Sequence, residues 1–346
     1  MNLIKKIQEN IFRYELFERG GKIVVGCSGG PDSVCLLDAL HELQKKYNLE
    51  LIVAHVNYKL RKKDSDKDEA LVKKLVEKYE LPIEILHNPE YTIQDTNLEE
   101  KLRTYRYAFF EKISKKYKAN AIAVAHNLND QAETVLLRLL RGTGLRGLGA
   151  MSFATQRGPS ARPKRNADGP RIIRPLLNIP RKEILAYLLK KKIPFRVDKT
   201  NLTSDFTRNK VRNKLLPYLE KNFNPRVQDL LFKFSKSAAA DYDFISRYSA
   251  AWLAENQSLR VSELNSLHPA IRREVLRQAL APKGALRGKT VPDLREIESG
   301  HIEEIIKILK SSKNKKQKIS FKGLKMERIG DRLVIEKSEN QSSNVK

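Results

Sequence analysis

The stretch Lys22–Leu40, KIVVGCSGGPDSVCLLDAL, decides the fold of the first half of the chain. Ile23, Val24 and Val25 favour a β-strand, Gly26 to Ser33 are mostly small or turn-forming, and Val34, Leu36, Leu37 and Leu40 recur at helical spacing. The stretch predicts a strand, a small-residue loop and a helix. Successive backbone N–H groups in such a loop make a concavity for an anion, and the positive end of the helix dipole adds to it. Ser28 and Ser33 bring hydroxyl donors, Gly29 and Gly30 let a phosphate approach the backbone, and Pro31 suits the first helical turn. Neither the GxxxxGK spacing of nucleoside triphosphatases nor the GxGxxG of dinucleotide sites is present here. Asp32 stands where most phosphate loops carry a lysine. A carboxylate beside a phosphate needs an intervening cation, and magnesium accepts one or two carboxylates together with phosphate oxygens. The expected ligand is therefore a magnesium-bound triphosphate, with Asp32 on the metal. A glycine turn whose aspartate only caps the helix is the plain alternative.

Working outward, strand and helix patterns alternate. Leu51–Val56, Pro82–Leu86 and Ala121–Ala125 read as strands; Asp68–Tyr79, Leu98–Tyr117 and Asp130–Arg141 read as helices. This alternation predicts an α/β fold: a parallel, doubly wound, Rossmann-like sheet that binds ligands beyond the carboxyl ends of its strands. Met1–Phe17 is a helical pattern without the apolar core of a signal peptide. Gln156–Pro170, QRGPSARPKRNADGP, reads as a mobile basic loop, with Arg157, Arg162, Lys164 and Arg165 available to RNA. A short strand at Arg171–Leu176 and a helix at Arg181–Lys191 follow. From Asn224 to about Lys310 the pattern is mainly helical, broken around Ala281–Pro292, and Lys318–Lys337 alternates like strands about a Gly330-Asp331 turn. The main boundary is expected near Pro217. That separates a catalytic domain, 1–216, from a mainly helical domain, 217–337, ending in short strands; a disordered tail, 338–346, follows.

Lys and Arg total 67 against 41 Asp and Glu, a formal charge of +26 over 346 residues. Such an excess favours a polyanionic partner, nucleic acid above all. Two cysteines, Cys27 and Cys35, are too few for a disulfide framework or a tetra-thiolate metal site and fit a reducing, cytoplasmic setting. No apolar run approaches the roughly 20 residues that cross a bilayer, so no membrane partner is expected.

A second constellation lies in Ala121–Leu148, AIAVAHNLNDQAETVLLRLLRGTGLRGL. His126 falls just past a strand end; Asn129 or Asp130 is read as a helix cap, with Glu133 closing a capping box. Capping leaves His126 and the series Arg138, Arg141, Arg146 unexplained. An imidazole and two carboxylates at the ligand end of a sheet suit a metal, a phosphate or an amine nucleophile.

The segment Ser28–Ser33, SGGPDS, resembles the SGGxDS signature of the PP-loop ATP pyrophosphatases, which cleave ATP between the α and β phosphates and adenylate a substrate oxygen. Further blocks are similar to the tRNA(Ile)-lysidine synthetase family: HNLND…E…RGTGLRGL from His126, AHVNYKLR at Ala54–Arg61, LEEKLRTYRY at Leu98–Tyr107, RPLLNIPRKEI at Arg174–Ile184 and DKTNLTSDFTRNKVRNKLLP at Asp198–Pro217. Lys101 departs from the small residue usual in the third of these.

The resemblance implies an ATP-dependent ligase that attaches free L-lysine to C2 of the wobble cytidine of tRNA(Ile) with anticodon CAU, through an adenylated cytidine. It implies Asp32, His126, Asn129, Asp130, Glu133, Arg141 and Arg208 as catalytic residues. ATP contacts are implied at Ser28, Gly29, Gly30, Pro31, Asp32, Ser33, Ala54 and His55, with Mg2+ on Asp32 and a homodimer as the assembly. Tyr58, Tyr105 and Tyr107 are candidates for stacking on the base or for the core, and Trp252 for the helical core. The rival readings are a tRNA 2-thiolation enzyme, which the lack of a CxxC pair disfavours, and a nucleotide-sensing nucleic-acid-binding protein without catalysis.

Overall fold

β1 (Lys22–Gly26) carries apolar residues toward both faces, and the computed structural model places it inside a six-stranded sheet. The structure describes residues 2–60, 63–87, 98–156, 170–197, 207–256, 258–280, 299–311, 316–321 and 324–337. The basic residues expected in the 157–169 loop, the break at 281–292 and the tail 338–346 lie outside them.

The sheet runs β3 (Ile83–His87), β2 (Glu50–Asn57), β1, β4 (Ala121–Ala123), β6 (Arg171–Ile173), β5 (Ala154–Gln156). All neighbours are parallel except β5 and β6. Alternation along each strand supplies two cores. Ile23 and Val25 join Leu51 and Val53 beneath α1 (Leu3–Arg13), α2 (Pro31–Tyr47), α3 (Lys63–Lys78) and α7 (Arg181–Lys190). Val24, Ile52, Ala54 and Ile122 face Tyr107, Phe110 and Ile113 of α4 (Leu98–Tyr117). Gly26 lets α4 close in: a Cβ there would lie 2.8 Å from the Phe110 ring. The chain lays β2 and β3 on one side of β1 and β4 on the other, so the switch point that binds ligands in such sheets lies between the carboxyl ends of β1 and β4.

Asp38 of α2 is buried and ties distant segments together. It accepts from the Tyr79 hydroxyl at 2.8 Å, the Tyr187 hydroxyl at 2.5 Å and the Lys191 ammonium at 2.7 Å. The charge is thus fully hydrogen-bonded, as a buried carboxylate must be.

α5 (Leu128–Leu140) begins two residues before the expected start, and its cap is Asn127, not Asn129 or Asp130. The Asn127 side chain accepts from the Asp130 N–H and the Asp130 carboxylate accepts from the Asn127 N–H, a reciprocal box in which Glu133 has no part. A short α6 (Leu145–Leu148) follows. Later, α8 (Thr207–Lys210) passes through a π-helical turn, Val211–Leu215, into α9 (Leu216–Asn222).

The chain divides into two compact units, Met1–Ala238 and Ala239–Lys346. The division falls inside α10 (Val227–Glu255), beyond the expected Pro217. The reason is packing: Leu216 is buried with Val211 and Leu137, and Phe232 belongs to the main core of the first unit. The second unit packs α11 (Val261–Ser266), α12 (Pro269–Leu280) and α13 (Ser299–Lys310) against an antiparallel sheet. Its order is β7 (Leu259–Arg260), β10 (Arg332–Lys337), β9 (Leu324–Ile329), β8 (Gln317–Phe321). Trp252 packs on this core, with Val275, Leu276, Ile305 and Met326 at its centre. No described helix is long and apolar enough to cross a membrane.

Candidate active site

The loop between β1 and α2 is held by its own hydroxyls. Ser33 Oγ accepts from the Ser28 N–H at 3.1 Å, lies 3.1 Å from Ser28 Oγ, and donates to the Gly30 carbonyl at 3.0 Å. Both serines therefore shape the loop through their hydroxyls. Gly29 adopts φ +86°, a conformation glycine takes without strain, and its carbonyl accepts from the Arg196 N–H at 3.0 Å. Gly30 caps α2 without a side-chain acceptor, and Pro31 occupies the first turn. The leading N–H groups of α2, with no intrahelical partner, point at the space above the loop.

Asp32 stands at this helix start. It accepts from Asn127 Nδ2 at 3.0 Å, and Arg181 lies 3.4 Å from its other oxygen. Burial raises its carboxyl pKa; Arg181 opposes the rise, and the nearby Asp130 reinforces it. Asn127, 1% exposed, thus joins the nucleotide loop to α5 through one amide. Asn129 turns elsewhere: its Oδ1 accepts from the Arg181 N–H at 2.9 Å and so anchors the start of α7.

Asp130 and Glu133 sit one turn apart and are bound by arginines. Arg212 donates to Asp130 at 2.9 Å and to both oxygens of Glu133, at 2.5 and 2.9 Å; Arg208 donates to Glu133 at 3.1 Å. Glu133 is only 1% exposed, so this is a buried carboxylate neutralised by two guanidinium groups. Arg141 does not join the cluster. It is exposed at the carboxyl end of α5, about 16 Å along the helix from Asp130 at about 1.5 Å per residue.

A cavity of about 160 Å³ opens at the carboxyl ends of β1, β2 and β4. Gly26, Ala54, Val56, Val124 and Phe110 make it apolar, while Ser28, Tyr58, Arg106 and His126 bring polar groups. An apolar slot with few polar groups beside an anion loop suits a purine base. Of the expected ATP contacts in β2, Ala54 lines this cavity. His55 points to the opposite face and its Nδ1 lies 2.8 Å from the Cys27 carbonyl, supporting the loop from behind. Tyr107 is buried in the core, edge-on to Phe110, and both it and the half-buried Tyr58 line the cavity.

His126 lines the cavity wall with Nδ1 buried and without a hydrogen-bond partner among the described residues. Desolvation pushes its pKa well below the usual imidazole range, and Arg174, Arg103, Arg106 and Arg208 push the same way. It is a neutral imidazole with a free ring nitrogen. Burial also lowers the pKa of His55. Both imidazoles are harder to protonate in the fold than in the unfolded chain, which takes protons near 6.5, so stability is full above that pH and falls as pH drops below it. One unit below, the loss reaches up to about 1.4 kcal/mol per imidazole. Melting measured at pH 7.5 and 5.5 checks this: His126→Gln should flatten the decline, and an unchanged decline would show that other groups cause it.

The sequence reading missed Asn127, Arg181, Arg212 and the arginines around His126. Arg212 was within reach, lying four residues from Arg208 on one helix face in TRNKVR. Cys27 and Cys35 are buried, and desolvation raises both thiol pKa values. Neither is poised as a thiolate nucleophile.

Comparison with known proteins agrees with this geometry. A family described as the PP-loop domain matches residues 2–219. A tRNA(Ile)-lysidine synthase of Clostridioides difficile (strain 630) is 35% identical across 97% of this chain and 71% of its own length. That of Caldanaerobacter subterraneus subsp. tengcongensis is 35% identical across 98% and 70%, and that of Dehalococcoides mccartyi 31% across 92% and 67%. Among solved structures, a U34-tRNA thiolase of Methanococcus maripaludis superposes with TM-score 0.55 at 22% identity, over 68% of this chain and 76% of that one; this likeness extends to the fold alone. The loop with its aspartate places the chain among ATP-using PP-loop proteins, and the nearly end-to-end matches narrow the choice: it belongs to the tRNA(Ile)-lysidine synthase family.

Proposed function

We propose that this protein joins free L-lysine to C2 of the wobble cytidine of tRNA(Ile) with anticodon CAU, using ATP. As a member of its family it is an ATP-dependent tRNA-modifying ligase. The observation that carries the mechanism is the link Asp32–Asn127–Asp130 at the switch point, beside the purine-sized cavity. The cytosine O2 attacks the α-phosphorus of ATP and pyrophosphate leaves. The lysine ε-amine then attacks C2, the C2–O bond breaks, and AMP departs with that oxygen.

The α2 N–H groups and the Gly29–Gly30 backbone would hold the pyrophosphate portion. Magnesium fits Asp32: its carboxylate is partly exposed, is destabilised by burial and by Asp130, and faces the phosphate cradle. When bound there with phosphate oxygens, the ion would offset the charge of the leaving pyrophosphate. The lysine amine, with an ordinary pKa of about 10.4, must lose a proton before attack. Asp130 is assigned to hold and orient that amine, and His126, whose protonation burial and four arginines oppose, to support the site as a neutral imidazole. Asp32 and Asp130 supply the field that attracts the ammonium group. Arg208 and Arg212 brace the carboxylates from behind. Arg141, exposed at the end of α5, is assigned to the RNA backbone. The second unit, with Arg273 and Lys316 on its surface, is assigned to the tRNA body. A cytoplasmic setting supplies ATP, lysine and tRNA together and suits two free cysteines.

Radiolabelled lysine, ATP and tRNA(Ile) should yield acid-precipitable label together with AMP and pyrophosphate. Formation of AMP without attached lysine would overturn the assignment. If about 6–10 phosphates are neutralised, tRNA affinity should fall roughly 10³–10⁵-fold between 50 and 200 mM salt. A flat response, read by filter binding, would remove the electrostatic part.

A further inference from the structure

The π-helical turn opens a second surface in the first unit. Leu140 at the end of α5, with Val211, Leu215 and Tyr218 on the α8–α9 segment, floors an open groove of about 440 Å³, rimmed by Lys210 and Lys214. That volume falls in the range of small-ligand sites, roughly 300–1,000 Å³. The floor is apolar yet solvent-facing: Leu140 is 65% and Tyr218 57% exposed. Tyr218 also lies against the exposed Phe223, ring centroids 5.9 Å apart.

The charges around the groove are of one sign. Lys210 and Lys214, the charged residues that line it, form no ion pair among the described residues, whereas Arg208 and Arg212 on the same segment are spent on Glu133. A second copy of the chain placed here would bring the same unpaired cations against these. An apolar, aromatic floor under a cationic rim has the opposite match: a base on the floor and its phosphates on the lysines. π-turns concentrate at functional sites, and this one carries the groove residues Val211, Lys214 and Leu215 together with the carboxylate-bracing Arg212 in one five-residue stretch.

We propose that this groove receives an unstacked nucleotide of single-stranded RNA, a neighbour of the reacting cytidine in the anticodon loop. This deepens the tRNA reading above and rests on it. The base lies on Leu140 and Tyr218, and the flanking phosphates meet Lys210 and Lys214.

The test uses the full chain and a synthetic anticodon stem-loop carrying 4-thiouridine at single loop positions. Irradiation should cross-link one loop position to the peptide containing Val211–Tyr218. Tyr218→Ala should weaken stem-loop binding roughly 5–150-fold, the range of base–aromatic stacking, with Tyr218→Phe restoring it. The pair Lys210→Ala and Lys214→Ala should reduce the slope of log affinity against log salt by about 1.4, at about 0.7 per phosphate. Melting curves should match the parent, since all three side chains face solvent. Unchanged affinity, salt slope and cross-linking would overturn the proposal. So would variants that alter only sedimentation, which would assign the groove to a second copy. Binding is measured without ATP or lysine. Absent lysine attachment with groove cross-links intact therefore overturns the ligase reading alone, and normal attachment in groove variants that bind like the parent overturns the groove alone.

Discussion

Asp32→Asn should abolish most lysine attachment, lowering turnover about 10²–10³-fold, the usual effect of losing one preorganised charge-stabilising group. Fold stability should stay level or rise. Burial lifts the Asp32 carboxyl pKa, and Arg181, Asn127 and Arg212 do not fully offset it. A carboxyl pKa raised in the fold means that the ionised form is less favourable there than in the unfolded chain. Removing the charge relieves that burden, while asparagine keeps the volume and can still accept from Asn127 Nδ2. The group is destabilising to the fold and needed for the chemistry, a common compromise at active sites. Turnover and melting temperature of the purified variant check both halves. Wild-type turnover would remove Asp32 from the metal and phosphate chemistry; a large drop in melting temperature would show that its charge is structural.

Glu133→Gln should act in the opposite direction on stability. Glu133 is 1% exposed and accepts from both Arg208 and Arg212. Glutamine keeps the length but leaves two guanidinium groups facing a neutral amide, with Asp130 the carboxylate that remains beside them. Breaking a buried pair in this way costs about 3–5 kcal/mol. For a unit of this size each kcal/mol shifts melting by about 2–4 °C, so a fall of roughly 6–20 °C is expected. Arg141→Ala, at an exposed site outside the cluster, should leave melting unchanged. A fall of under about 2 °C in Glu133→Gln would show that water, not Glu133, supports the arginines.

The nucleotide loop, the order of strands and helices, and the position of His126 were legible because local pattern controls them. β1 is apolar on both faces, and the small residues after it leave few conformations. Residues whose role depends on distant partners were not. Asn127 reads as a loop residue until Asp32, 95 positions away, is seen against its amide. Asn129 accepts from the backbone N–H of Arg181, 52 positions away, a contact that no local pattern announces. Arg141 shares a helix with Asp130, and only the length of α5 separates them. Pro217 suggests a break, and the family match also ends at residue 219, but the first compact unit runs on to Ala238, since the proline fits the first turn of α9 and Phe232 still packs into the first core. β5 was missed: its three residues end where the stretch read as loop begins, and its partner, β6, lies across an intervening segment.

The Asp38 cluster constrains how the protein can be made. Its hydroxyl and ammonium donors on Tyr187 and Lys191 lie 149 and 153 residues downstream. At about 5–20 residues per second, a ribosome takes roughly 8–30 s to add that span. During that interval α2 can form and Tyr79 can donate to one carboxylate oxygen, but the other oxygen keeps its need for water until α7 emerges.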